Sequence, residues 1–264
     1  MARLPDALGA VLIAALGAAE LEWLAAENTG GGTAWSLAAR IVAPSLAILA
    51  ISSRAADTRW PVAAHVAAYR LGATLALIVA MGVWSLHVNL SHGGRSDPLP
   101  YLPLVNALDL AHVLAIFAIV SAWLALRRSA LTPPAAFTGT PARVIAGAIA
   151  FVWLNAILLR TLHHWADIPY GFYAMSHSLL AQASLSVFWA FLALALMVTA
   201  TRGAKRWLWM IGGALMAVVV VKLVLVDLSR LSGITRIFSF IGVGVLMLVI
   251  GYFSPVPPRK KEAA

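Results

Sequence analysis

Eight long apolar blocks separated by short polar connections make up the chain: Ala7–Ala26, Ser36–Ile51, Val62–Val88, Pro103–Leu126, Val144–Leu159, Leu179–Ala200, Trp207–Val226 and Ile234–Phe253. A hydrocarbon layer about 30 Å thick is crossed by about 20 helical residues, so each block predicts one transmembrane helix. The second and fifth are short for a full crossing, which implies less tilt or snorkelling flanks. Seven spans is the alternative count. The longest connections run from Arg127 to Arg143 and from Arg160 to Ser178, leaving no room for an extramembrane domain with its own core. The expected fold is all-α, a polytopic transmembrane helical bundle forming a single domain over 1–264. A Pro-rich connection, Thr132-Pro133-Pro134 to Pro141, divides it into halves 1–126 and 144–253.

Composition sharpens this reading. Hydrophobic residues are 62% of the 264, charged residues only 11%, and the mean hydropathy is +0.89, which together exclude a soluble globular domain. Cysteine is absent, so disulfides, thiolate metal sites and cysteine nucleophiles are excluded as well. The first apolar block continues past Ala18-Ala19 into Glu20, Glu22 and Trp23 without a cleavage pattern, and is expected to stay as a retained helix.

The net charge of +9 reads as a topology signal. With both termini cytoplasmic, Arg95, Arg160, Arg230 and Arg236 fall outside, Arg40, Arg70 and Lys222 fall within spans, and the other twelve of the 19 basic residues fall inside. The basic loops then face anionic lipid headgroups. They are too dispersed to suggest a nucleic-acid partner. The same topology gathers His87, His92, His112, His163, His164 and His177 on the outer side, with His65 alone near the inner side. Any polar chemistry is therefore expected at the periplasmic face.

Three groups of residues carry that expectation. In the first, His163, His164 and Asp167 lie in one short stretch ahead of His177; an imidazole beside a carboxylate can act as general base or acid. The competing reading is interfacial anchoring, since Trp165, Tyr170, Phe172 and Tyr173 form an aromatic belt around them. A zinc site from these histidines is disfavoured by the lack of a helical i, i+4 His pair. In the second group, Asn106, Asp109 and His112 share one helical stripe near the outer end of the fourth span. Asp109 and His112 either form a proton-accepting pair or bond a neighbouring helix. The third group is Lys222, Asp227, Arg230 and Arg236 around the last two spans. Ionisable groups near the bilayer centre cost about 2.5 to 3.5 kcal/mol each on insertion scales and are kept where they meet a partner, water or a task. Here two arginines at the membrane face suit a phosphate or carboxylate, or else lock the Ser232-Gly233 turn. Lys222 finds its partner in Asp227 or on another helix, with Glu20 and Glu22 as candidates.

The segments His163-His164, Gln182-Ala183-Ser184-Leu185-Ser186-Val187-Phe188-Trp189-Ala190, Lys222-Leu223-Val224-Leu225-Val226-Asp227-Leu228-Ser229 and Arg236-Ile237-Phe238-Ser239-Phe240-Ile241-Gly242-Val243-Gly244 resemble the C-terminal part of a bacterial membrane-protein family filed as domain of unknown function 2339. The resemblance covers roughly the last hundred residues. It implies a multi-pass protein of the bacterial inner membrane whose matching polar residues are His163, His164, Gln182, Lys222, Asp227 and Arg236. Family members are usually much longer, so the resemblance casts this chain as a short form or a C-terminal piece. The family name states no activity.

Three functions compete on these residues. One is an outward-facing enzyme on an anionic envelope or lipid-linked substrate, with His163 or His164 as base, Asp167 orienting it, and Lys222, Arg230 and Arg236 holding the anion. Another is a transporter or channel component lined by Asp109, His112, Lys222 and Asp227. The last is a non-catalytic assembly subunit in which every polar group is interhelical glue. No cofactor is implied: haem would need axial histidines at matching depth, and His65 lies at the opposite face from the rest. Membrane lipids and an anionic small-molecule or lipid-linked ligand are the expected partners.

Overall fold

The computed structural model of the protein describes residues 4–129, 131–223 and the single positions 241, 244, 245 and 248. Among the described residues the regular structure is helical: α1 (Leu4–Thr29), α2 (Ala34–Ala39), α3 (Val42–Ser52), α4 (Thr74–Ser91), α5 (Ala107–Arg128), α6 (Ala135–Thr138), α7 (Thr140–Trp165), α8 (Phe172–His177), α9 (Leu179–Arg202) and α10 (Arg206–Lys222). Six stretches of the described residues are long and apolar enough to cross a membrane: Pro5–Thr29, Ala34–Ser52, Ala68–Ser91, Ala107–Arg128, Thr140–Trp165 and Leu179–Arg202. They coincide with the first six expected spans. The seventh begins as α10, and the eighth, apart from the four single positions, lies outside the described residues.

Two of these spans are interrupted for identifiable reasons. α2 and α3 are separated at Arg40–Ile41 because Pro44 has no N–H for the Arg40 carbonyl and its ring crowds that carbonyl. The third span opens with a π-helical turn, Ala68–Ala73, in which the Thr74 hydroxyl bonds the Tyr69 carbonyl at 3.0 Å. The fifth differs from expectation in the other direction. α7 runs on to Trp165 and takes Arg160, His163 and His164 into the helix, where the sequence placed them in a loop.

The chain divides between Tyr170 and Gly171 into two compact units. In the first, Ile48, Leu77, Met81, Trp84, Val88 and Leu108 form the centre of the core together with a row of α5 alanines, Ala111, Ala115, Ala118 and Ala122. Small residues let the helices close on one another: a Cβ on Gly17 of α1 would stand 3.0 Å from that of Ala43 on α3. Large apolar side chains such as Leu12, Ile13, Leu16, Phe117 and Val120 are exposed on the outside, the pattern of a surface solvated by lipid. α7, beyond the Pro-rich connection, packs on α4.

In the second unit α9 and α10 pair through Ala193, Met197 and Met216. Gly212 sets their closest approach, since a Cβ there would lie 2.7 Å from the Met197 Cγ.

Candidate functional site

One end of the first unit holds a buried polar cluster built on the start of α5. Asn106 caps that helix, its side-chain oxygen accepting from the Asp109 N–H at 3.1 Å. Capping turns Asp109 inward, where it is fully buried. One carboxyl oxygen, Oδ1, accepts from the Trp153 indole at 2.9 Å; the other, Oδ2, accepts from the Leu104 N–H at 3.0 Å and the Asn106 amide at 2.5 Å. Three donors thus hold it, as a buried carboxyl requires.

His112 lies one turn on, also buried, stacked on Trp153 with ring centroids 4.9 Å apart. The Leu108 carbonyl, 2.7 Å from Nδ1, can only accept, so Nδ1 carries the proton and Nε2 accepts. Asn89 Nδ2 at 3.0 Å and Ser85 Oγ at 2.9 Å supply the donors. Asp109 and His112 do not bond each other; each ties α5 to a neighbour, Asp109 to α7 and His112 to α4. Directing the Asn89 amide at His112 leaves its Oδ1 buried without a partner.

Arg160 of α7 is the largest fully buried side chain among the described residues. It donates through Nε to the His92 carbonyl at 3.0 Å and through Nη2 to the Val88 carbonyl at 2.7 Å, the carbonyls at the C-terminal end of α4. Those carbonyls carry the negative end of the α4 dipole and let a charged residue enter the helix interior. The Tyr170 hydroxyl also acts on the guanidinium; Nη1 itself has no partner in ordinary hydrogen-bond geometry, and no carboxylate lies within ion-pair distance of Arg160 among the described residues. Gly94, at φ +81°, lets the connection pass so close that a Cβ would stand 3.0 Å from the Arg160 Cδ.

Aromatic and imidazole rings line the cluster. Tyr101 stacks on His164 at 4.5 Å, and burial pushes its phenol up to about 12; burial also raises Tyr170, whose hydroxyl donates to the Asn89 carbonyl at 3.2 Å. Both phenols therefore keep their protons near neutrality. His92 accepts from the Gly94 N–H on Nδ1 at 3.0 Å and donates from Nε2 to the Gly32 carbonyl at 2.6 Å; burial holds its pKa below the usual imidazole value. His163 Nδ1 lies 2.8 Å from the Ile168 carbonyl and His164 Nε2 3.0 Å from that of Gly93. Carbonyls, in the place where Asp167 was expected, therefore orient these two rings. Asp167 is exposed, at φ +53°, and bonds neither.

The remaining candidates lie elsewhere. Lys222 belongs to the second unit, where its ammonium donates to the Gln182 carbonyl at 2.9 Å and the Ser186 hydroxyl at 2.7 Å. Asp227, Arg230 and Arg236 lie outside the described residues. His177, on α8, bonds the Tyr173 carbonyl through Nδ1 at 2.9 Å. The cations within spans find acidic partners in the first unit: Arg40 meets Glu22 at 2.8 Å and Arg70 meets Asp57. Arg160, Asn89, Tyr101 and Trp153 were not among the residues expected from sequence. The available signal was a charged residue only one position past the drawn end of the fifth span, with two histidines in the next turn.

Buried polar groups gathered at one end of a lipid-solvated helical unit define a multi-pass membrane protein with an internal polar site. The chain belongs to the family described as "Predicted membrane protein (DUF2339)", which matches residues 1–257. The match thus extends through the first spans, well beyond the last hundred residues in which the resemblance was legible. No curated protein and no solved structure matches the chain.

Proposed function

We propose that the chain is an eight-span protein of the bacterial inner membrane with both termini in the cytoplasm, and that its Arg160 cluster receives the anionic group of an envelope or lipid-linked ligand from the periplasmic side. The observation that carries this reading is a fully buried guanidinium that, among the described residues, meets two carbonyls and the Tyr170 hydroxyl but no carboxylate, with Nη1 outside ordinary hydrogen-bond geometry. An unpaired buried charge is costly, and an anion arriving at Nη1 would remove that cost. Tyr101 and Tyr170 keep hydroxyl protons beside it, while His163 and His164 are placed to take up or release one. Asp109 and His112 serve as the frame that holds α4, α5 and α7 together. Gly94 lies against the Arg160 side chain and Gly93 against Tyr170 and His163, so entry requires that connection to move aside. On the same topology Lys222, Asp227, Arg230 and Arg236 are groups of the periplasmic leaflet.

A pore through the first unit is less well supported, because Ile48, Leu77, Met81, Ala115 and Ala118 fill its middle. Native mass spectrometry of the full chain in detergent micelles, with a short polyprenyl phosphate as probe, tests the binding reading. The protein should retain the lipid, and Arg160→Gln should weaken retention about tenfold or more. Equal retention by a folded Arg160→Gln variant would leave the cluster as interhelical glue and favour an assembly subunit. Should that variant not fold, Tyr101→Phe combined with His164→Ala, which spares the guanidinium, must still weaken retention.

A further inference from the structure

At the opposite end of the first unit, about 30 Å along α5 from Asn106, the structure contains a second polar feature that the periplasmic reading does not use. A cavity of about 420 Å³ lies between the turn Arg54–Asp57, the π-helical turn Ala68–Ala73 and the end of α5. At about 30 Å³ per water it would hold on the order of a dozen waters, ample for a phosphate group and the carbons next to it.

Its walls are of two kinds. Val62, Val66 and Leu131 are apolar, whereas Asp57, Arg70 and Arg128 carry charge. Arg70 is buried, 4% exposed, and donates through Nη2 to Asp57 Oδ1, yet its Nε is buried with no partner. Arg128 spends one N–H on the Ser52 carbonyl at 2.6 Å, leaving the rest of its fork uncommitted. Three guanidiniums, those of Arg70, Arg128 and Arg54, act on the single carboxylate of Asp57 and hold it below the usual carboxylate range, so the local charge is net positive. The π-turn has a part in this, because the widened helical register places Arg70 in the cavity wall.

Two guanidiniums in the wall of a cavity with an apolar side supply the forked N–H donors that recognition of phosphate oxygens uses. Basic pockets between membrane helices at the Lys/Arg-rich face are where anionic headgroups bind. We infer that this cavity is a phosphate-binding site, with Arg128 and Arg70 holding the oxygens and Val62, Val66 and Leu131 receiving the adjoining carbons. The shared chemistry is a phosphate group, borne either by a lipid of the facing leaflet or by a small soluble molecule. The site stands on different residues from the Arg160 cluster, and its failure would leave that reading untouched.

The test uses the purified full chain in detergent micelles with dioleoyl phosphatidic acid as probe and dioleoyl phosphatidylcholine, whose phosphate is shielded by its choline, as control. Native mass spectrometry should show phosphatidic acid retained in preference to phosphatidylcholine. Arg128→Gln, at an exposed position, should lower retention about tenfold, whereas Arg202→Gln, exposed at the end of α9 and outside both polar sites, should leave it unchanged. Displacement by millimolar inorganic phosphate identifies a site open to soluble phosphate; resistance to it identifies the lipid headgroup as the source. Equal retention of the two lipids, or equal retention by native protein and Arg128→Gln, overturns the proposal. If Arg128→Gln loses the native elution profile, a photoreactive phosphatidic acid is applied to the native protein. Cross-links must then fall within 54–70 or 125–131, and cross-links confined elsewhere overturn it equally.

Discussion

Single polar atoms decide how this greasy chain accommodates its charges. Asp109 is tolerated at full burial because three donors meet its two oxygens, and His112 because a fixed tautomer presents one donor and one acceptor to matching groups. His92 is poised differently. Both its nitrogens are used by backbone only while the ring is neutral, since Nδ1 accepts from Gly94 and a proton there would displace that bond. Burial, the first cause, with Arg160, Arg95 and His164 adding repulsion, lowers its pKa from 6.5. Below that value the unfolded chain gains a proton that the folded chain still refuses. Stability from this group is therefore complete above about pH 6.5 and is lost as the pH falls toward the depressed value. The thermal midpoint in detergent should drop between about pH 7.5 and about pH 5.5, and His92→Gln should flatten that drop. An undiminished drop in the variant would assign the titration to another group. The buried stripe Asn106–Asp109–His112 was legible from its spacing, because i, i+3 periodicity puts three polar residues on one face whatever they bond. Arg160 was not, because its acceptors are carbonyls of α4 that no local pattern announces.

At the scale of elements, the breaks and endings govern what the site can be. Pro44 divides the second span, and its position was readable; that α7 would continue six residues past Leu159 was not, for its extension depends on where α4 ends. The connection after α4 is the element on which the cluster turns. Gly94 adopts φ +81°, and its missing side chain leaves room for Arg160 and Tyr101, whose Cδ and Cε2 would lie 3.0 Å and 3.3 Å from a new Cβ. Alanine there combines left-handed strain, about 1–2 kcal/mol, with displacement of a side chain pinned at two carbonyls. Gly94→Ala should therefore destabilise the protein by about 1–3 kcal/mol in reversible unfolding and weaken ligand retention with it. Native-like stability in that variant would mean the connection yields easily and does not hold Arg160 in place.

For the whole molecule, membrane class was plain from block length and composition, because lipid demands long, uninterrupted apolar helices and leaves that demand in the sequence. Sidedness rests on a statistical bias in loop charge, and the two ends of the first unit carry it unequally. Arg54, Arg59, Arg127, Arg128 and Arg143 belong to the connections and helix ends at the Arg70 cavity, whereas Arg95 is the one exposed arginine in the connection at the other end. The absence of native cysteine makes this directly measurable, since every introduced thiol reports alone. Gly31→Cys and Asp97→Cys, both at exposed positions, should react with a membrane-impermeant maleimide in intact spheroplasts. On the proposed topology Thr58→Cys, Ala136→Cys and Lys205→Cys face the cytoplasm and should react only after permeabilisation. Because each consecutive span reverses direction, one additional or missing crossing before α10 would invert the labelling from that point onward and locate the error. A complete reversal would put the Arg160 cluster in the cytoplasm. Envelope and periplasmic ligands would then be excluded as its occupants, while the buried guanidinium, with no carboxylate partner among the described residues, would still favour an anion from the other compartment.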